Sequence, residues 1–231
     1  MPRNVQDAPI LDGFEKKKIE SEVIARDITE LVHFTRVENV LSILDQGLKG
    51  RATLDESGVG YVYSDELRLD GQPDSISVSI SWPNYKMFYK KRKEDTSKQW
   101  VVLKLDPAIM WEKPCFFCMS NAASAAIAQG VTGYRVGFRG LESLFDDISG
   151  DGNRYAYGLP DKYPTNPQAE VLVLEMIEPE WIREVHVETR EAGTSSESFM
   201  NSFKRHRRRV RFLISPRIFG PREDYKRWSA V

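Results

Sequence analysis

One carboxylate interrupts an otherwise apolar strand face in the segment 168–176. Side chains alternate between the two faces of a strand, so Glu170 shares its face with Leu172 and Leu174. A carboxylate in such a place is costly unless it is paired, solvated at a cleft or catalytic. The long polar loop directly upstream, 149–167, favours a catalytic site, and a rim residue that pairs with an arginine is the alternative.

A second group of polar residues stands where a short strand meets a helix. His33 and Thr35 point to the same side of an extended strand end, immediately before a predicted helix N-terminus. The free backbone N–H groups of a helix N-terminus suit a phosphate or a ribose oxygen. The alternative is structural: Thr35 as a helix N-cap, His33 as a packed histidine and Asn39 as an ordinary polar residue of the first turn.

Two arginines stand in the long loop 48–74, which precedes the clearest strand. Either Arg51 or Arg68 could bind a diphosphate or a carboxylate, because the guanidinium group donates hydrogen bonds in a fixed fork. Surface charge is the alternative for both. Residue type and position alone do not choose between them.

The elements that must position these residues follow from the hydrophobic pattern. Thr35 and Glu38 form a capping box for a helix that Gly47 ends, with an apolar stripe between them. Other helices are predicted over 12–30, 122–128 and 140–148, and strands over 31–34, 75–81, 100–105, 168–177, 182–188 and 210–215. Strands mixed with a few helices indicate an α+β fold. We expect one domain over 1–231, with a helical lid over 1–30 and a basic strand region over 200–231.

Composition and hydrophobic patterning indicate a soluble globular protein and argue against a membrane-spanning or secreted one. The chain has 231 residues, 41% hydrophobic and 29% charged, and its net charge is −1. No stretch approaches the roughly 18–20 apolar residues of a membrane span, and 1–12 lacks the apolar run of a secretory signal, so we expect a cytoplasmic protein without a membrane partner. The basic runs 90–93 and 204–209 indicate either phosphate contacts or solvated faces.

The two cysteines, Cys115 and Cys118, are spaced C-x-x-C within an apolar segment. A structural zinc site needs two further ligands, and the three scattered histidines offer no second pair. The segment therefore predicts a buried strand with reduced thiols, and no metal is expected.

Three blocks in order resemble the DarT family of toxin ADP-ribosyltransferases. His33-x-Thr35, followed by a helix that ends in the sequence ILDQGL (43–48), resembles the opening of these enzymes. The sequence QAEVLV (168–173) is similar to the block that contains the catalytic glutamate of the family, and PNYKMFY (83–89) resembles its aromatic, Met-containing NAD-pocket segment. The blocks span about residues 31–188.

The resemblance implies a split central β-sheet around an NAD cleft with flanking helices, and NAD+ as co-substrate. In the donor site it implies that His33 and Thr35 bind the nicotinamide end and that Asn39 binds the ribose or diphosphate. Arg68 matches the arginine of the NAD-binding loop better than Arg51 does. The remaining implied roles are Glu170 as the catalytic acid/base, Tyr85 and Met87 in the NAD pocket, and Arg154, Tyr155 and Tyr157 as acceptor-binding residues of the recognition loop 149–167.

The resemblance also implies an acceptor and a partner. Thymine-specific members carry an H-D-Y-V-P-F-type block where this chain has DSISVS (74–79), so guanine in single-stranded DNA is slightly preferred over thymine. A toxin of this kind implies a cognate antitoxin of the ADP-ribosyl hydrolase type and possible use in phage defence. Two other functions stay open: an NAD-dependent transferase that modifies RNA or protein, and an inactive nucleic-acid-binding module.

Overall fold

A mixed β-sheet forms the centre of the computed structural model, which describes residues 10–50, 75–122, 135–148 and 154–227. Within these ranges the sheet has seven strands in the spatial order β4-β5-β2-β1-β3-β6-β7. Among the seven described strands, β6 and β7 are the only parallel neighbours. The strands are β1 (Leu31–Arg36), β2 (Ile76–Ile80), β3 (Trp100–Leu105), β4 (Cys115–Cys118), β5 (Glu170–Val173), β6 (Ile182–Val187) and β7 (Arg211–Ile214).

Short helices cover the sheet, which confirms the predicted α+β class. In the described part of the chain the α-helices are α1 (Gly13–Ala25), α2 (Val40–Gln46), α3 (Tyr85–Glu94), α4 (Ile109–Glu112), α5 (Gly137–Ser143), α6 (Arg154–Tyr157), α7 (Arg190–Thr194) and α8 (Glu197–His206). Single 3-10 turns lie at Val37–Asn39, Pro179–Trp181, Pro216–Phe219 and Tyr225–Arg227. Arg51, Arg68 and most of the helix predicted over 122–128 lie outside the described residues.

The sheet is split at its middle, between β1 and β2. The strand β1 pairs with β3 along its whole length, from Leu31 to Arg36. It pairs with β2 only at Leu31 and Val32. From His33 onward the backbones of β1 and β2 part, so the predicted split in the central sheet is confirmed.

The two faces of the sheet carry separate hydrophobic cores. The larger core includes Leu31 and Val171 and packs against α1, α2, α5 and α8. On the opposite face, Phe88 of α3 stacks against Phe34 with ring centroids 4.5 Å apart, and Leu172 packs in a third cluster beside Cys118. Burial on both faces explains why β5 has a continuous apolar sequence after Glu170.

The predicted capping box at Thr35 is wrong. Thr35 belongs to β1 and is buried, and the chain enters α2 through the 3-10 turn Val37–Asn39, which has no side-chain cap. The hydroxyl of Thr35 instead accepts a hydrogen bond from the Asn39 amide, 3.1 Å away. The long-range pairing of Thr35 with Val101 in β3 keeps Thr35 extended, and this tertiary contact outweighs the local capping pattern.

The C-x-x-C segment forms β4, as predicted. Cys115 and Cys118 are three residues apart on a strand, so their side chains point to opposite faces: Cys115 contributes to the larger core and Cys118 packs near Leu172. Burial raises the pKa of the Cys115 thiol well above its ordinary value. A raised pKa keeps this thiol protonated and unreactive.

Candidate active site

The carboxylate of Glu170 is held by amide groups from two other parts of the chain. Glu170 is the first residue of β5 and is only 4% exposed. Its Oε1 accepts hydrogen bonds from Nδ2 of Asn121 at 3.1 Å and from Nδ2 of Asn84 at 3.3 Å, and its Oε2 accepts one from the backbone N–H of Ala122 at 3.0 Å. These neutral donors offset the desolvation of the buried carboxylate and hold it in one orientation.

Asn84 joins β2, α3 and β5. Its backbone N–H donates to the hydroxyl of Ser79 at 3.2 Å. Its Oδ1 caps α3 by accepting from the backbone N–H of Met87 at 3.2 Å, while its Nδ2 donates to Glu170. The sequence pattern identified the segment 83–89 but not Asn84 within it. The available signal was an asparagine directly before a helical segment, a preferred N-cap.

Asn121 and Ala122 reach Glu170 because β4 lies beside β5. Cys118, the last residue of β4, pairs with Glu170, and the chain then turns so that the buried Asn121 side chain points back at the carboxylate. Nothing in the local sequence marks this residue, since its role depends on a strand pairing between distant segments.

His33 stands where the split in the sheet begins. Its Nδ1 lies 2.9 Å from the backbone carbonyl of Ser77 in β2. A carbonyl oxygen only accepts, so Nδ1 carries the proton and donates. The ring thereby bridges β1 and β2 at the point where their backbone ladder ends, and its orientation is fixed. Ser77 also pairs with Leu172, so a single strand connects His33 to the strand of Glu170.

The structure brings Thr35 and Asn39 together through a hydrogen bond. It places Tyr85 and Met87, the residues predicted for the NAD pocket, in the first turn of α3.

The Tyr85 hydroxyl is buried and has no hydrogen-bond partner among the described residues. Burial, and then the nearby Asp224 carboxylate, raise the pKa of Tyr85 to about 12. Tyr85 is therefore a neutral hydroxyl at ordinary pH, one residue from the Asn84 side chain that contacts Glu170.

Arg154, Tyr155 and Tyr157 form α6, a single helical turn within the predicted recognition loop. Arg154 Nη1 donates to the Tyr163 carbonyl at 2.7 Å and to the Thr165 hydroxyl at 3.0 Å, and Nη2 donates to the Pro160 carbonyl at 3.2 Å. Burial lowers the pKa of Arg154 below its ordinary value. Tyr155, by contrast, is 94% exposed.

The two basic runs have mixed environments. On α3, Arg92 binds Glu188 and the Phe219 carbonyl, whereas Lys90 and Lys93 are exposed. On α8 and after it, Arg205 and His206 bind Asp45, and Arg209 binds the carbonyls of Leu44 and Pro179. Lys204 and Arg208 are exposed. A part of each run therefore fixes the fold, and the rest faces solvent.

The residues described above, 10–50, 75–122, 135–148 and 154–227, form neither a metal site nor a membrane-spanning helix. Among those residues, no group of histidine, cysteine, aspartate or glutamate side chains has the geometry of a metal site. No helix there has the length and apolar character needed to cross a membrane.

Comparison with known proteins assigns the chain to a family. A family model described as "ssDNA thymidine ADP-ribosyltransferase, DarT" matches residues 32–219. No curated protein matches the sequence. Together with the split sheet, the family model defines an ADP-ribosyltransferase. The chain belongs to the DarT family of enzymes, which use NAD+ to ADP-ribosylate single-stranded DNA.

Solved structures with this fold include DarT proteins from two organisms. Thermus sp. 2.9 DarT in complex with NAD+ has a TM-score of 0.55 and 17% identity, over 84% of this chain and 98% of that one. The same protein with ADP-ribosylated ssDNA has a TM-score of 0.50 and 17% identity, over 84% and 97%. Thermosipho africanus DarTG in complex with ADP-ribose has a TM-score of 0.53 and 17% identity over 83% of this chain, which spans about half (51%) of that chain.

Proposed function

We propose that this chain transfers ADP-ribose from NAD+ to a base of single-stranded DNA, with Glu170 as the catalytic acid/base. The observation that carries the proposal is the buried Glu170 carboxylate, held by three amide donors on β5, the strand that pairs with β2 at one side of the split in the sheet. The family model places the chain among enzymes with this donor and this acceptor class. A base in a duplex is stacked out of reach, which favours a single-stranded acceptor.

The side chains at the split between β1 and β2 suit binding of the ADP-ribose donor, NAD+. His33 and Thr35 would bind the nicotinamide end of NAD+, Asn39 the ribose or diphosphate, and Tyr85 and Met87 the pocket wall. The backbone contact of His33 and the amide contact of Thr35 hold both side chains in fixed positions, as a binding site requires. Arg68, or alternatively Arg51, would donate charge-assisted hydrogen bonds to the diphosphate.

The role proposed for Glu170 follows from the bonds that break and form during the transfer of ADP-ribose. Cleavage of the nicotinamide–ribose bond leaves its electron pair on nicotinamide and builds an oxocarbenium-like centre, as in glycoside cleavage. A nitrogen of the acceptor base forms the new bond to that centre and loses a proton. Glu170 would stabilise the positive centre and accept this proton. Arg154, Tyr155 and Tyr157 would hold the base, and the exposed Tyr155 ring suits stacking.

Mass spectrometry of a single-stranded oligonucleotide with NAD+ tests the activity. The wild-type chain should add one ADP-ribose, and Glu170→Gln should lower the rate by about 10²–10⁴-fold, the usual contribution of a general acid or base. Glu175→Gln is the matched control, because Glu175 is exposed in the same segment and should leave the rate unchanged. Equal rates for Glu170→Gln and wild type would rule out this mechanism.

Guanine and thymine are each supported as the acceptor base by a different observation. The DSISVS sequence (74–79), in place of the block of thymine-specific members, favours guanine. The description of the matching family model names thymidine and favours thymine. Four homopolymer-flanked oligonucleotides, each containing one test base, separate these alternatives, since fragmentation identifies the base that carries the adduct.

We also propose a toxin that acts in the cytoplasm and is opposed by an antitoxin of the ADP-ribosyl hydrolase type, with a possible role in phage defence. The DarTG name of the Thermosipho structure and its bound ADP-ribose support this pairing. Expression of wild type should arrest growth, whereas Glu170→Gln should not. Co-expression of an ADP-ribosyl hydrolase that removes base-linked ADP-ribose should restore growth, and continued arrest despite adduct removal would contradict the proposal.

A further inference from the structure

The segment after β7 crosses from α3 to the loop that precedes Glu170. Phe219 packs against Phe88 of α3, with ring centroids 5.6 Å apart, and its carbonyl accepts a hydrogen bond from Arg92 at 2.8 Å. The indole N–H of Trp82 donates to the Gly220 carbonyl at 3.2 Å. The segment 216–220 is therefore fixed to α3 and to the turn that contains Asn84.

Arg222 then enters the interior beside the loop. It is only 2% exposed, and its guanidinium group forms a bidentate pair with Asp224, with both N–O distances 2.6 Å. The same group donates to the carbonyls of Pro164 at 2.8 Å and Thr165 at 3.3 Å. Arg222 thereby ties the segment after β7 to the backbone of the loop before Glu170.

Arg154 binds the same turn from the recognition loop. It donates to the Tyr163 carbonyl and the Thr165 hydroxyl, so two arginines share the turn 163–165. Arg154 belongs to α6 with Tyr155 and Tyr157, and Glu170 follows the turn by a few residues. The position of α6 relative to Glu170 thus depends on a turn that Arg222 holds.

We propose that Arg222 is a positioning residue for the acceptor: with Arg154 it clamps the turn 163–165 and sets the acceptor-binding helix α6 against Glu170. The inference rests on the proposed function of this site. Arg222 lies beyond the part of the chain that the family model matches, 32–219. The backbone contacts of Arg222 are with the turn before Glu170, which favours a role toward the acceptor. Because Asp224 also lies near Tyr85 of the proposed NAD pocket, the Kd for NAD+ is the measurement that separates an acceptor role from a donor role.

The steady-state kinetics of Arg222→Gln show whether the substitution affects acceptor binding specifically or the whole fold. The KM for the oligonucleotide should rise by about tenfold or more, the scale of losing hydrogen bonds to a charged group. The Kd for NAD+, measured by calorimetry, should be unchanged. An unchanged KM for the oligonucleotide, or an equal loss of NAD+ affinity, would overturn the proposal.

Further variants keep the result interpretable. Arg222→Gln leaves Asp224 buried without its partner, so Arg222→Met combined with Asp224→Asn removes both charges and should show the same KM change in a folded chain. Arg154→Gln should raise the same KM, and the double variant with Arg222→Gln should be less than additive because both hold one turn. Arg190→Gln, an exposed arginine at the start of α7, should match wild type.

Adduct formation by the wild type and the KM of the Arg222 variants distinguish a wrong function from a wrong role for Arg222. If wild type binds NAD+ but forms no adduct on any oligonucleotide, the proposed function fails. If wild type forms the adduct and the Arg222 variants have wild-type KM values, only the positioning role fails.

Discussion

Asn84 combines two functions in one side chain, and a substitution can separate them. The Oδ1 atom caps α3, and the Nδ2 atom donates to Glu170. Serine is as good an N-cap as asparagine, but its side chain is shorter and has one donor. A serine hydroxyl that accepts from the Met87 N–H cannot also take the place of Nδ2 at the Glu170 carboxylate.

We therefore expect Asn84→Ser to lower activity while the cap of α3 is kept. The transfer rate should fall by about tenfold or more, because a hydrogen bond to a charged group contributes about 1.5–3 kcal/mol. Asn84→Ala should lower the rate similarly and should also lose about 1 kcal/mol of cap stability. Thermal unfolding and initial rates of the two variants test this, and an Asn84→Ser variant with wild-type rate would show that Nδ2 does not orient Glu170.

At the residue scale, the sequence singled out the carboxylate of Glu170, whose catalytic role stays a prediction, but not the groups that hold it. Glu170 was predictable because a carboxylate on an apolar strand face breaks the local pattern. Asn121 was not, because its contact exists only through the pairing of Cys118 with Glu170. The predicted acceptor residue Arg154 has several contacts within its own loop, and its role toward a base stays a prediction.

Among the elements, α2 ends at a glycine that no other residue can replace without strain. Gly47 has φ +85°, and a Cβ built there lies 2.5 Å from the backbone oxygen of Ile177. The next residue, Leu48, exchanges two backbone hydrogen bonds with Ile177, so the chain cannot move away from that oxygen without breaking them.

We expect Gly47→Ala to destabilise the fold by about 1–3 kcal/mol, the cost of a backbone conformation that is essentially restricted to glycine. For a chain of this length the unfolding temperature should drop by about 2–4 °C per kcal/mol. Gly13→Ala is the matched control: Gly13 begins α1, and nothing lies within 4 Å of its added Cβ. Similar unfolding temperatures for Gly47→Ala and Gly13→Ala would contradict this reading of Gly47.

Strands were easier to predict than the start of a helix. The strand at Trp100–Leu105 has the predicted bounds, because continuous apolar residues buried on both faces mark it. The start of α2 was mispredicted, since a capping box is a local pattern and the pairing of β1 with β3 is not. The helix α3 was recognised only as a segment similar to the family, because its lysines and arginines weaken the apolar stripe.

On the scale of the whole molecule, a buried histidine makes stability depend on pH. The Nε2–H of His186 donates to Glu184 at 2.6 Å, and its Nδ1 accepts from the Ser215 hydroxyl at 2.8 Å, so the neutral ring satisfies both partners. Lys104 and Arg211 also bind Glu184, and Glu30 lies beyond Lys104. Burial lowers the pKa of His186 below its ordinary value, despite the neighbouring carboxylate.

This pKa shift predicts a loss of stability in mild acid. Below about pH 6.5 the unfolded chain binds a proton at His186 that the folded chain binds only at lower pH. The stability contribution is therefore complete above that value and decreases as the pH falls through the folded pKa. Thermal unfolding between about pH 7.5 and about pH 5 should show this decrease, and His186→Gln should have a flatter pH profile. An equally steep profile in the variant would assign the dependence to other groups.

The groups that hold Glu170 and the turn before it are synthesised at different times. The amide donors at 84, 121 and 122 precede Glu170, whereas Arg222, which holds the turn before it, is translated well afterwards. A nascent chain that has just added Glu170 lacks β6, β7 and the segment that fixes the acceptor loop. If Arg222 acts as proposed, ribosome-bound fragments that lack it are poor DNA-modifying enzymes, and the cell is not exposed to full activity before Arg222 has been synthesised and folded into place.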